Sequence, residues 1–91
     1  MENTNNTDSR IIFITLNSVR AVTRFVNINQ KTNCETLINI DKNNVISAKS
    51  IMSIFSINLL KPLKETITGN NSDISKLLDQ YDDAQLSFDI G

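Results

Sequence analysis

Ser50 is the residue of this chain whose type and setting could do chemistry. It follows Lys49 and opens the apolar segment Ile51-Met52-Ser53-Ile54-Phe55. A serine at such a boundary caps a helix, its oxygen accepting from a free backbone N–H. The same hydroxyl could take a phosphoryl group, adding roughly −1.5 to −2 charges where free N–H groups and the helix dipole favour an anion. The local residues leave both readings open. Other reactive groups are scarce. The chain contains no histidine, and its only cysteine, Cys34, has no partner for a disulfide or a zinc site. Cys34 therefore reads as a packing residue. Asp82 and Asp83 are adjacent in a helical segment and point to different faces, so they form no acid/base pair. No Gly-rich phosphate loop and no Ser/His/Asp set is present. The expectation is a protein that is not an enzyme and holds no cofactor and no metal.

Ninety-one residues, 40% of them hydrophobic, suffice for one domain with a single modest core. Net charge is −1 and the nine Lys and Arg residues are scattered, so the basic footprint of nucleic-acid binding is missing. One tyrosine and no tryptophan offer no stacking platform for bases. Apolar runs such as Ile11-Ile12-Phe13-Ile14 fall far short of the ~18–20 residues that cross a bilayer. The segment Met1 to Asp8 is polar and lacks the pattern of a secretory signal. A cytoplasmic protein without membrane association is expected. Residues 1–9 read as a disordered polar tail, and residues 10–91 as a single domain.

The elements that must position Ser50 follow from periodicity. Arg10 to Asn17 alternates around Ile12, Ile14 and Leu16 and predicts a first strand. Val19, Val22, Phe25, Val26 and Asn29 recur at helical spacing, predicting a helix from Val19 to about Asn33 capped by Asn17-Ser18. Glu35 to Ile40 and Val45 to Ala48 read as strands joined by the turn Asp41-Lys42-Asn43-Asn44. From Ser50 a helix carries Ile51, Met52, Ile54, Phe55, Ile57 and Leu59 until Pro62 stops it. Lys64 to Thr68 is a fourth strand. Gly69-Asn70-Asn71 then turns the chain, and Ser72 caps a last helix with the stripe Ile74, Leu77, Leu78 and Tyr81. The predicted fold is α+β, a β-α-β-β-α-β-α open-faced sandwich with three helices on one face of a four-stranded antiparallel sheet.

The Ser50 helix is apolar on nearly every side, and no helix can bury all its sides against one sheet. Ile54 and one of Ile57 or Leu59 are expected inside. Ile51, Met52 and Phe55 are expected at least partly outside, as a patch suited to adaptable contacts. Such a patch makes self-association into a homodimer conceivable.

The run Ala48-Lys49-Ser50-Ile51-Met52, followed by Ile54-Phe55-Ser56, resembles the regulatory-serine signature of HPr, the phosphocarrier family of the bacterial sugar phosphotransferase system. The predicted element order is that family's, over roughly Ile11 to Leu86. Leu59-Leu60-Lys61-Pro62-Leu63 sits where the family has its loop before the last strand. The resemblance implies that Ser50 is the target of a regulatory HPr kinase/phosphorylase. It also implies that Ile51, Met52 and Phe55, with Lys49, dock a transcriptional regulator or a metabolic enzyme. Arg20 and Arg24, one helical turn apart in the first helix, could pair with a phosphate or with an acidic partner.

The family's carrier signature does not survive. Where a histidine precedes Ala-Arg-Pro, this chain has Arg20-Ala21-Val22-Thr23, or Val19 in an alignment without a gap. Arginine offers no neutral nitrogen to accept a phosphoryl group. The resemblance thus points to the histidine-lacking HPr homologues of catabolite repression. Two departures stand out: Val22 replaces an arginine that contacts partners, and Ser53 replaces a glycine and adds a second hydroxyl. The alternative is a constitutive interaction module that uses the Ile51/Met52/Phe55 patch without phosphorylation.

Overall fold

A computed structural model describes residues 7–91 of the chain. Eight elements follow one another: β1 (Thr7–Thr15), α1 (Val19–Lys31), β2 (Glu35–Asp41), β3 (Asn44–Ser47), α2 (Ile51–Phe55), β4 (Leu63–Asn70), α3 (Asn71–Asp83) and β5 (Ser87–Ile90). The strands form one antiparallel sheet in the order β3-β2-β4-β1-β5. The sheet thus has five strands, which corrects the expected four. The α+β character and the three helices are as predicted. Buried side chains of all three helices join those of one sheet face in a single core.

β1 begins inside the segment expected as a tail. Thr7, Asp8 and Ser9 stand opposite Asn70, Gly69 and Thr68, so residues 7–9 belong to the sheet. The rest of that expected tail lies outside the described residues. Ile12 and Ile14 of β1, Ile38 of β2 and Ile67 of β4 point into the core from alternate positions, as a half-buried sheet requires.

Each long helix starts on a side-chain cap. Ser18 Oγ accepts from Ala21 N–H at 3.0 Å, and Asn70 Oδ1 accepts from Asp73 N–H at 2.8 Å. The expected turn at Gly69-Asn70-Asn71 is therefore absent: β4 runs to Asn70, which itself caps α3 in place of Ser72. Asp73 in the first turn suits the positive end of the α3 dipole. α1 ends at Lys31, just before the predicted limit.

α2 stops at Phe55, well before Pro62. Ser56 Oγ donates to Ser53 O at 2.6 Å, and the Ser56 and Ile57 N–H groups close short turns onto Ser53 and Ile54. Beyond this cap, Asn58 Oδ1 accepts from Leu60 N–H at 2.9 Å, which fixes a loop rather than another helical turn. Ile57 and Leu59 are both half-buried against the core from that loop.

β5 exists because of how α3 ends. Gln85 adopts a left-handed backbone with φ 63°, its N–H donates to Asp82 O, and Leu86 N–H donates to Tyr81 O, each at 2.9 Å. This pair of bonds is the Schellman helix ending, which reverses the chain. The buried Leu86 and Tyr81 make up its apolar contact, and the chain returns alongside β1.

Candidate functional site

Ser50 caps α2 with an extended backbone. Its Oγ accepts from Ser53 N–H at 3.3 Å and donates to Ser53 Oγ at 3.0 Å. The hydroxyl is half-buried and sits between two backbone anchors. Ser50 N–H donates to Ser47 O at 3.3 Å, and Gln30 Nε2 of α1 donates to Lys49 O at 3.1 Å. Among the described residues, no carboxylate or other base is hydrogen-bonded to the Ser50 hydroxyl. That oxygen can accept a group transferred to it, but nothing bonded to it would activate it as a nucleophile.

The apolar neighbours divide between core and surface. Ile54 is fully buried, and Ile51 is half-buried against the core. Met52 is 79% exposed and Phe55 44% exposed on the same short helix. Hydroxyl and patch thus belong to one short helix and its cap.

The two arginines are disposed differently. Gln30 fixes the start of α2 beside the late part of α1, whereas exposed Arg20 lies about ten residues earlier, or about 15 Å along the helix. Arg24 Nη1 reaches across to α3 and donates to Ala84 O at 3.2 Å. Neither side chain is hydrogen-bonded to the Ser50 segment. Lys49, half-buried, adjoins Ser50 directly, and its N–H donates to Ser47 Oγ at 3.1 Å.

Cys34 is buried, its sulfur facing Gly69, where an added Cβ would lie 2.9 Å away. Asp82 and Asp83 are both exposed. Among the described residues, no group of three or more His, Cys, Asp or Glu is placed to hold a metal ion. Among the described residues, no helix is long and apolar enough to cross a membrane.

A second polar cluster escaped the reading of the sequence. Glu65 of β4, Tyr81 of α3 and Asn29 of α1 are all fully buried and meet inside the core. Tyr81 Oη lies 2.9 and 2.8 Å from the two Glu65 carboxyl oxygens. It also lies 2.9 Å from Asn29 Nδ2 and 3.2 Å from Asn29 Oδ1. Burial pushes the Glu65 carboxyl up to about 8, and the hydrogen bond from Tyr81 opposes this more weakly. Burial, with the nearby Glu65 charge second, raises the Tyr81 phenol. The signal was present in the alternation. Glu65 shares its face of β4 with the buried Leu63 and Ile67, and Asn29 and Tyr81 fall on the apolar stripes of their helices.

No family model matches the chain, and no curated protein matches it. Among solved structures, it is similar to the phosphocarrier protein HPr from Bacillus anthracis strain Ames. The two are 24% identical, the match covers 82% of this chain and 92% of that one, and the TM-score is 0.55. The likeness is one of fold: an HPr-like sandwich of three helices on an antiparallel sheet.

Proposed function

We propose that this chain is an HPr-like regulatory protein of the phosphotransferase system and carbon catabolite repression. In this reading HPr kinase/phosphorylase phosphorylates Ser50, and the modified protein binds a transcriptional regulator or a metabolic enzyme. The observation that carries the reading is the pairing of a half-buried Ser50 hydroxyl with exposed Met52 and Phe55 on one short helix, in an HPr-like fold. A chain without histidine cannot carry phosphoryl on that side chain, so it would receive the regulatory signal without relaying phosphate. Lys49 would neutralise part of the added charge, and Arg20 and Arg24 would face an acidic partner.

The test is intact mass and peptide mapping after incubation with HPr kinase and ATP, with Ser50→Ala in parallel. One added phosphate, confined to Ser50, is the expected result. No modification, or equal modification of both proteins, would overturn the reading.

The exposure of Met52 and Phe55 in the unmodified protein favours one rival, a constitutive docking module built on Ile51, Met52 and Phe55. That module would bind its partner equally well with Ser50→Ala and Ser50→Asp. A partner retained by Ser50→Asp and lost by Ser50→Ala would count against it.

A further inference from the structure

Glu65, Asn29 and Tyr81 take no part in the Ser50 surface, and they join three elements at one point: the sheet, α1 and α3. What surrounds the carboxyl is apolar. Its neighbours across the sheet are Ile12 of β1 and Ile38 of β2, and along β4 they are Leu63 and Ile67 on the same face. From α1 come Phe25 and Asn29, and from α3 comes Tyr81, whose ring sits 5.5 Å from that of Phe25 and 5.9 Å from that of Phe88. The titratable groups close to this cluster are Tyr81 itself and Cys34, which bears on the tyrosine. Among the described residues, no lysine or arginine is paired with the Glu65 carboxyl, whose hydrogen bonds go to Tyr81.

Counting protons in the cluster separates its two states. With Glu65 protonated, its O–H donates to Tyr81 Oη, Tyr81 O–H donates to Asn29 Oδ1, and Asn29 Nδ2 donates to Phe25 O at 2.8 Å. The acid proton, the phenol and the amide each find a partner, and the one acceptor left over is an uncharged carbonyl oxygen. With Glu65 ionised, the two carboxylate oxygens share the single Tyr81 proton, where a buried carboxylate needs several donors or a cation.

We propose that Glu65 is held as a neutral carboxylic acid and serves as a proton-dependent latch that fastens α1 and α3 to the sheet. Loss of the proton to water leaves an unpaired charge in the core, and the cheapest relief is for the helices to part from β4 and admit solvent. The upward shift of the carboxyl to about 8 brings this transition to mildly alkaline pH. The latch adjoins Gln30, which holds Lys49, so release of α1 would also slacken the segment before Ser50.

The experiment is urea unfolding of the whole chain across pH, for the wild type and for Glu65→Gln, read through Tyr81. Tyr81 is the sole tyrosine in a chain without tryptophan, so its near-ultraviolet signal reports the latch itself. The wild-type folding constant is expected to fall by up to about tenfold per pH unit between pH 4.5 and about 8, and Glu65→Gln to lose that slope. Equal slopes in the two proteins would overturn the proposal. Should Glu65→Gln fail to fold, the carboxyl carbon resonance of Glu65 in the folded wild type decides. A midpoint well above the ordinary glutamate range supports the latch, and an ordinary midpoint refutes it. Amide exchange, corrected for its intrinsic pH dependence, should show α1 and α3 losing protection before β1 and β4. Simultaneous loss from helices and sheet would also refute it.

Discussion

The Tyr81 hydroxyl lies 2.8 Å from Glu65 Oε2, and neither residue has any surface in contact with solvent. Sixteen residues separate them in the chain, one on the last helix and one on the central strand beneath it. This contact ties helix to sheet through a proton rather than through apolar packing alone.

Tyr81→Phe keeps the ring between Phe25 and Phe88 and removes the hydroxyl that serves the carboxyl. A loss of about 1–3 kcal/mol is expected in urea unfolding, the penalty for stranding a buried polar group. Adding Glu65→Leu should cost less than the sum of the single changes, because the stranded carboxyl is then gone. Additive costs would mean that the two groups are not coupled.

The pH profile of thermal stability should have two limbs of opposite sign. Glu65 is raised in the folded state, so its contribution is complete below pH 4.5 and is lost as pH climbs toward about 8. The slope reaches at most about 1.4 kcal/mol per pH unit for one proton. Asp41 is lowered by hydrogen bonds from Asn44 and Asn43, so its contribution is present above 3.8 and is lost as pH falls. The melting temperature should therefore peak on the acid side of neutrality. In Glu65→Gln the peak should move upward and broaden, and an unmoved peak would contradict this assignment.

Ile54 and Met52 share the short helix α2 but differ in surroundings, Ile54 being fully buried and Met52 79% exposed. Ile54→Ala should cost about 2–5 kcal/mol by opening a cavity. Met52→Ala should stay within about 0.5 kcal/mol while weakening any partner that docks there. Denaturation midpoints beside a binding assay would separate the two effects. A large stability cost for Met52→Ala would place it in the core instead.

Gln85 holds a left-handed backbone at φ 63° where glycine is the usual occupant. Gln85→Gly should raise stability by about 1 kcal/mol, because it removes the clash of a side chain in that conformation. Gln85→Val should lower it, since a β-branched residue tolerates this region poorly. Midpoints of chemical unfolding for both variants would check the pair of signs.

Much of this fold could be read from periodicity because its long elements have strong patterns. The stripe Val22, Phe25, Val26 and Asn29 marks α1, and Ile74, Leu77 and Tyr81 mark α3. What was missed lacks a local pattern. β5 is Ser-Phe-Asp-Ile, four residues whose strand character comes from pairing with β1. The helix ending that delivers it uses Gln85 where a glycine would have announced it. The early stop of α2 depends on the Ser56 hydroxyl, while Pro62 offered a more obvious but later terminator. At the candidate site, Ser50 was legible because a capping serine before an apolar run is a local signature. Glu65 was not, because a charged residue in an alternating strand is ordinarily assigned to the outer face. The face it shares with Leu63 and Ile67, and the coincidence of Asn29 and Tyr81 on facing stripes, pointed to the opposite assignment.

The strand order also decides which backbone is left open to other chains. The rims of the sheet are β3 and β5, each of four residues, which offer little template for a second sheet to add to. β5 pairs with Ile12 through Thr15, and Gly91 N–H reaches Ile11 O at 2.8 Å. The apolar half of β1, the stretch most prone to zip onto another molecule, is thereby covered. The half that β5 leaves uncovered begins Thr7-Asp8-Ser9-Arg10, with Arg10 and Asp8 4.0 Å apart. Charges on an open rim discourage edge-to-edge growth. Trimming β5 away would turn Ile11-Ile12-Phe13-Ile14 into a bare rim, open to edge-to-edge growth.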